Sequence, residues 1–318
     1  MAIGKDRSAA HTLGLHAHSF YHFPATSLYD EVELSRHAEL FDKCHVYMLG
    51  LFPTINFLGS QVDGSRLRQI FSILDKGFQL DWDVREGMDP ASIDPKSPQI
   101  AHQLYSRFGK PDFSIQYIGQ AYGTDGSRAA LDRLGKHETL QKMAITGAPE
   151  GYQLQVLLIE VYSATEVLTK INSFVGDRNS YDKQYRAREE KILGTTAVER
   201  IALYEASLIR YFKPKYNVLF KDSFPSTNHK ILLDCYEKEF CQIAAEFTFD
   251  DMPITLSSPT IHPAETHFVL YDLQTAKKRK AFFGSEHGVD GNVGADKMIG
   301  ENEPDDNAEI GIFILPDR

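Results

Sequence analysis

The sequence predicts an α/β (α+β) protein, and three observations predict it. Two stretches, Val46 to Phe52 and Gln153 to Tyr162, are rich in apolar, β-branched and aromatic residues and read as buried strands. A third, Phe113 to Ala121, reads as a strand running into a Gly/Asp/Ser loop from Gly123 to Ser127. Helical patterns alternate with these strands, from about Arg128 to Met143 and over residues 197–212.

Taken in order, Asp30 to Phe41 is helical, and the apolar stretch from Cys44 to Leu58 follows. A Pro/Asp-rich connector runs from Met88 to Pro98. Ser97-Pro98 then opens a helix with Ile100, Leu104 and Phe108 at a four-residue repeat and Gly109 as its stop. Asn172 to Glu190 is long and polar, an expected loop or insertion. Thr196 and Glu199 fit a capping box, in which each side chain satisfies a backbone amide of the other residue. The helix that follows reaches Phe212, where Pro214 stops it. Beyond it the expectations are a helix from Lys230 to Glu246 and strands at Glu246–Phe249, Thr266–Leu273, Lys280–Phe283 and Glu309–Leu315. The segment from Gly284 to Asn307, rich in Gly, Asp, Glu and Asn, is expected to be mobile. These readings divide the chain into an N-terminal region 1–112, a core 113–225 and an accessory region 226–318 with a helix and several strands. The first core strand, about 43–52, comes from the N-terminal region.

Composition narrows the class. With 42% hydrophobic and 25% charged residues, the 318-residue chain can bury a full core. No apolar run approaches the roughly 18 residues of a membrane span, and the first residues lack the apolar centre of a secretion signal. Three cysteines without a CxxC pair suggest reduced thiols and a cytoplasmic protein. The net charge of −10 argues mildly against binding nucleic acid. The charge is uneven, however: Tyr117 to Phe220 carries 14 Lys+Arg against 12 Asp+Glu, and the rest carries 20 against 32.

The candidate chemistry lies in the core. Arg133 and His137 are four residues apart, so on a helix over 128–143 they share a face. Arginine offers a planar donor fork suited to phosphate oxygens, and histidine exchanges a proton near neutral pH. Glu205 has apolar Ala202 and Ile209 beside it on its helix, and a carboxylate facing a core needs a cation or metal partner. One carboxylate with waters and substrate phosphate suffices for Mg²⁺. Such a trio suits phosphodiester hydrolysis.

The ordered residues resemble the GIY-YIG nucleases. The match runs through Tyr117-Ile118-Gly119, Arg133-Leu134-Gly135-Lys136-His137, Glu205 in Tyr204-Glu205-Ala206-Ser207, and Lys213-Pro214-Lys215-Tyr216-Asn217. It covers about 100 of the 318 residues. The resemblance implies a small antiparallel three-stranded sheet flanked by helices, with N-terminal and C-terminal additions. It also implies hydrolysis around one divalent ion, Mg²⁺ or Mn²⁺. Glu205 would ligate the metal, Arg133 would stabilise the phosphate, and His137 would contact it or move a proton. Tyr117 would line the site with Gly119 and Lys136 beside it, and Asn217 would brace it. The family's first motif, a GIY strand whose Tyr is a candidate base, is absent. Two tyrosines compete for its place. Tyr47, in His45-Val46-Tyr47, lies on a predicted strand, whereas Tyr105 has the better spacing but lies in a predicted helix.

Other features fit less well. His16, His18 and His22 lack a carboxylate or cysteine partner for a metal site. Arg128 has no histidine four residues on, and Gly123 to Gly126 lacks the ending of a phosphate loop. Lys183, Arg186, Arg188 and Lys191, interleaved with Tyr181 and Tyr185, are a basic-aromatic candidate for tracking a phosphate backbone. Lys221, Phe224-Pro225 and His229 follow the core closely enough to border a substrate groove. The expected function is a metal-dependent DNA endonuclease, a hydrolase acting on foreign DNA, with homo-oligomerisation or a protein partner as further expectations and no membrane association. The alternatives are a degenerate nucleic-acid-binding or scaffold protein and an RNA-directed phosphodiesterase.

Overall fold

The computed structural model describes residues 9–36, 38–84, 89, 92–120, 134, 137–162, 166–171, 190–219, 231, 235, 236, 238, 241–248 and 254–283. Its strands are β1 (Ala9–Pro24), β2 (Val46–Pro53), β3 (Ile55–Asp63), β4 (Arg66–Ile73), β5 (Lys76–Asp83), β6 (Asp112–Gln120), β7 (Tyr152–Val161), β8 (Glu166–Ile171), β9 (Gln242–Thr248), β10 (Thr255–Ser258), β11 (Ile261–Ala264) and β12 (Thr266–Asp272). The helices are α1 (Glu31–Arg36), α2 (Ala38–Phe41), α3 (Pro98–Phe108), α4 (Glu138–Thr146), α5 (Ala197–Phe212), α6 (Lys215–Leu219) and α7 (Ala276–Phe283).

The fold class differs from the sequence expectation. The protein is mostly β, and the expected small three-stranded sheet flanked by helices is overturned. One nine-stranded mixed sheet runs in the order β11-β10-β6-β2-β7-β1-β9-β12, with β8 also paired to β1. The antiparallel strands β6, β2 and β7 form its middle. Strands from all three sequence regions extend it. On one side β10 joins β6 in parallel; on the other β1 joins β7 antiparallel, and β9 then joins β1 in parallel. A separate antiparallel sheet, β3-β4-β5, packs its Phe71, Ile73 and Leu80 on Ile100 and Leu104 of α3.

The large sheet curls. Its two ends, β11 and β12, are consecutive in the chain with only Glu265 between them. His267 on β12 reaches across, its Nε2 lying 3.1 Å from the carbonyl oxygens of both Leu256 and Ala264. An Nε2–H is needed to serve those two acceptors, so Nδ1 accepts from the Tyr211 hydroxyl at 3.2 Å. Burial keeps this imidazole below its usual titration range, against the opposing effect of the two carbonyls.

Inside the curl lies α5. Its start and stop follow the sequence: Thr196 and Glu199 complete the capping box, and Lys213 ends the helix in a left-handed conformation (φ 47°) before Pro214. Ile201, Leu203, Tyr204, Leu208 and Phe212 share one core with Leu13, Val46, Met48, Phe113, Leu157, Ile243 and Leu256. Two phenols tie the helix to the sheet, Tyr204 donating to the Glu246 carbonyl at 2.7 Å and Tyr271 donating to the Ser207 carbonyl at 2.8 Å.

Three local expectations also change. Residues 242–248, assigned largely to a helix, form β9, whose Ile243, Ala245 and Phe247 alternate into the core. Lys280 to Phe283, read as a strand, is the end of α7. The helix expected over 128–143 is broken at His137, whose extended backbone (φ −80°, ψ 116°) is the N-cap of α4, so no single helix face joins Arg133 to His137; residues 128–133 lie outside the described residues. The stretches 172–189 and 284–318 lie outside the described residues. Among the described residues no helix is long and apolar enough to cross a membrane.

Candidate functional site

The face of the middle strands turned away from α5 carries the candidate site. Strand alternation sends Val46, Met48 and Phe52 of β2 toward α5, and Tyr47 and Leu49 to the other face. On β6 the alternation is broken. Gly50 pairs with Ile115 and Leu49 with Tyr117, so Gln116 is an extra residue in β6. This bulge re-aims the chain. Phe113 and Ile115 face α5, Tyr117 crosses to the face of Tyr47, and Ile118 returns to the core. Gly50 opposite the bulge permits a close approach, because a Cβ there would lie 2.2 Å from Cε1 of Phe113.

Three rings then meet. Tyr47 and Tyr117 have centroids 6.1 Å apart, Tyr117 and His137 5.0 Å, and Tyr47 and His137 5.8 Å in an edge-to-face arrangement. Gly119 is the floor of this group and the cross-strand partner of Tyr47. A Cβ on Gly119 would stand 2.7 Å from the Tyr47 hydroxyl, 2.8 Å from its Cζ and 2.9 Å from Cε1 of Tyr117. Tyr47 is 0% exposed and Tyr117 5% exposed, both packed with Leu134, Leu140 and Met143. His137 caps α4 without a side-chain capping bond, so its ring turns to the tyrosines and not to the helix amides.

Tyr105, the rival for the first motif, is elsewhere. Its hydroxyl donates to the Pro53 carbonyl at 3.1 Å, and its ring packs edge-to-face on Phe52. Glu205 is 4% exposed on α5, a helix whose core packing is on the opposite face of the sheet. The chain after α5 leads round the β6 edge. Tyr216 packs against the cluster holding Tyr47 and Tyr117, and Asn217 pairs with the backbone of Ile118.

Arg133 and Lys136 lie outside the described residues, as do Arg128, Gly123 to Gly126, Lys183, Arg186, Arg188, Tyr181, Tyr185, Lys221, Phe224, Pro225 and His229. The N-terminal histidines do not meet as a trio. His16 and His18 both lie against Tyr162, with centroids 4.5 and 5.8 Å away, whereas His22 faces the core between Phe52 and Phe113. Among the described residues no three His, Cys, Asp or Glu side chains are grouped to hold a metal. By residue type a hard divalent ion fits Glu205, because Mg²⁺ needs only one or two protein carboxylates and this one is fixed, 4% exposed, on α5.

Sequence reasoning missed two neighbours of the site. Cys44 is buried beside the strand start, and burial, with Glu160 adding to it, pushes its thiol up to about 12, so it is inert at neutral pH. Burial lowers the titration of His45, opposed by Glu160. A polar pair at the end of an apolar strand was the available signal for a strand terminus, not for chemistry. Compared with protein-family models, with curated proteins and with solved structures, the chain matches none.

Proposed function

We propose that this protein is a metal-dependent phosphodiesterase of the GIY-YIG type that cuts nucleic acid, DNA ahead of RNA. The observation that carries the reading is the meeting of Tyr47, Tyr117 and His137, which are far apart in sequence, over the glycine of the Tyr-Ile-Gly tripeptide. Aromatic contacts stabilise such a group in any core, and the phenol and imidazole tips add the donors and acceptors that a phosphate site uses. The position of Tyr105 supports Tyr47 as the first-motif tyrosine.

In this reading His137 hydrogen-bonds a phosphate oxygen or moves a proton to the leaving group. Tyr47 is the candidate base, and Tyr117 fixes the angle between the other two rings. Glu205 would hold Mg²⁺ or Mn²⁺, which would supply Lewis-acid polarisation of the phosphate. Arg133 is assigned to the phosphate from its residue type and from the resemblance.

A second reading, a catalytically degenerate nucleic-acid-binding protein, is favoured by the complete burial of Tyr47. Incubation of the full chain with supercoiled DNA and, in parallel, structured RNA, with Mg²⁺, Mn²⁺ or EDTA, separates the readings. Metal-dependent cutting of DNA supports the enzyme. Salt-sensitive binding without cutting under either ion supports the second reading, and cutting of RNA alone moves the substrate class.

A further inference from the structure

A second candidate site lies at the opposite end of β6, about 16 Å along the strand from Tyr117 at roughly 3.3 Å per residue. A cavity of about 700 Å³ opens there between the end of α3, the strand β10 and the turn before β7, lined by Leu51, Phe108, Asp112, Ser114, Tyr152 and Thr255 among others. That volume is in the range of small-molecule sites, which are mostly apolar with a few fixed polar groups. Tyr152 is 37% exposed.

Asp112 is the group that needs explanation. It is half-buried, and its Oδ1 accepts from the Thr255 hydroxyl at 3.1 Å while Oδ2 accepts from the Ser257 hydroxyl. Among the described residues no cation pairs with it. The lysine of the same cavity, Lys110, is already paired with Glu265 at 2.5 Å. Each carboxylate oxygen accepts about two hydrogen bonds, so one place remains on each. Two parallel acceptors on one plane match the donor fork of a guanidinium or amidinium group. Burial also raises the Asp112 carboxyl, against the lowering effect of both hydroxyls, so a cation beside it relieves a real cost.

We infer that this cavity binds a small organic cation of the guanidine or amidine class, its planar head on Asp112 and its apolar body between Phe108 and Tyr152. This inference is independent of the nuclease reading.

Benzamidine and agmatine, titrated calorimetrically into the full chain at neutral pH, test it, with benzamide as the uncharged isostere. Expected is saturable one-to-one binding of a cation, at least tenfold weaker binding of benzamide, and at least tenfold weaker cation binding by Asp112→Asn. Absence of cation binding, or equal affinity for benzamide, overturns the inference, as does undiminished affinity in a folded Asp112→Asn. Because Asp112 also ties β10 to β6, Tyr152→Ala provides a second variant. It is expected to weaken benzamidine binding several-fold, and unchanged affinity there overturns the placement.

Discussion

The side chain of Asn217 pairs with the backbone of Ile118 as a strand would, accepting from its N–H and donating to its C=O, each at 2.8 Å. It does so where the edge of β6 is open, since the paired residues of β10 reach only as far as Ser114. Ile118 is fully buried, so both backbone groups would otherwise be orphaned. Asn217→Asp keeps the acceptor and loses the donor, whereas Asn217→Ala loses both. The expected cost is about 1–3 kcal/mol for the alanine variant, read from urea denaturation midpoints. An Asn217→Ala protein as stable as the parent removes the bracing role.

Gly119 and Tyr47 form a second pair whose geometry can be tested. Gly119→Ala forces a methyl into the Tyr47 ring, at an expected cost of about 1–3 kcal/mol for overpacking. On a Tyr47→Leu background the same substitution should cost less, though not nothing, because Cε1 of Tyr117 stays 2.9 Å away. The double-mutant cycle measures the difference. Additive effects would mean that the two residues are not in the contact described.

Three of the residues singled out in the sequence, Tyr47, Tyr117 and His137, meet in the fold, but their surroundings were not legible. The strands β2, β6 and β7 announce themselves by dense apolar runs, and the capping box and Pro214 mark both ends of α5. Asn217 was expected to brace the site only through the resemblance, since by position alone it is a turn residue after Pro214. The face that Tyr117 occupies was not legible. It depends on one extra residue, Gln116, whose effect exists only once β2 is paired with β6. Strand β1 was hidden because its His-rich sequence lacks an apolar run, and β9 because its alanines favour a helix until burial between β1 and β12 overrides them. Parallel pairings between distant segments have no local signature, so the size of the sheet was out of reach.

His22 gives a pH prediction. Burial lowers its imidazole to about 4, partly opposed by a hydrogen bond with Gln155. The folded state therefore holds it neutral where the unfolded chain, near 6.5, binds a proton. Its effect on stability is absent above pH 6.5 and grows as pH falls toward 4, amounting to a loss on the order of 3 kcal/mol. Urea melts at pH 7 and pH 4.5 should separate for the parent protein, and His22→Leu should narrow that gap. A gap of equal size in both proteins would assign the acid sensitivity to other groups.

The central claim is that Glu205 serves a metal in phosphodiester hydrolysis, and conversion of supercoiled plasmid to nicked and linear forms in Mg²⁺ or Mn²⁺ tests it most directly. Glu205→Gln preserves size while removing the charge. The expected result is cutting by the parent protein, abolished by EDTA, and at least a hundredfold slower cutting by Glu205→Gln with unchanged circular dichroism and melting. Cutting by Glu205→Gln at the parent rate, or no cutting of DNA or RNA by the parent protein under either ion, would contradict it.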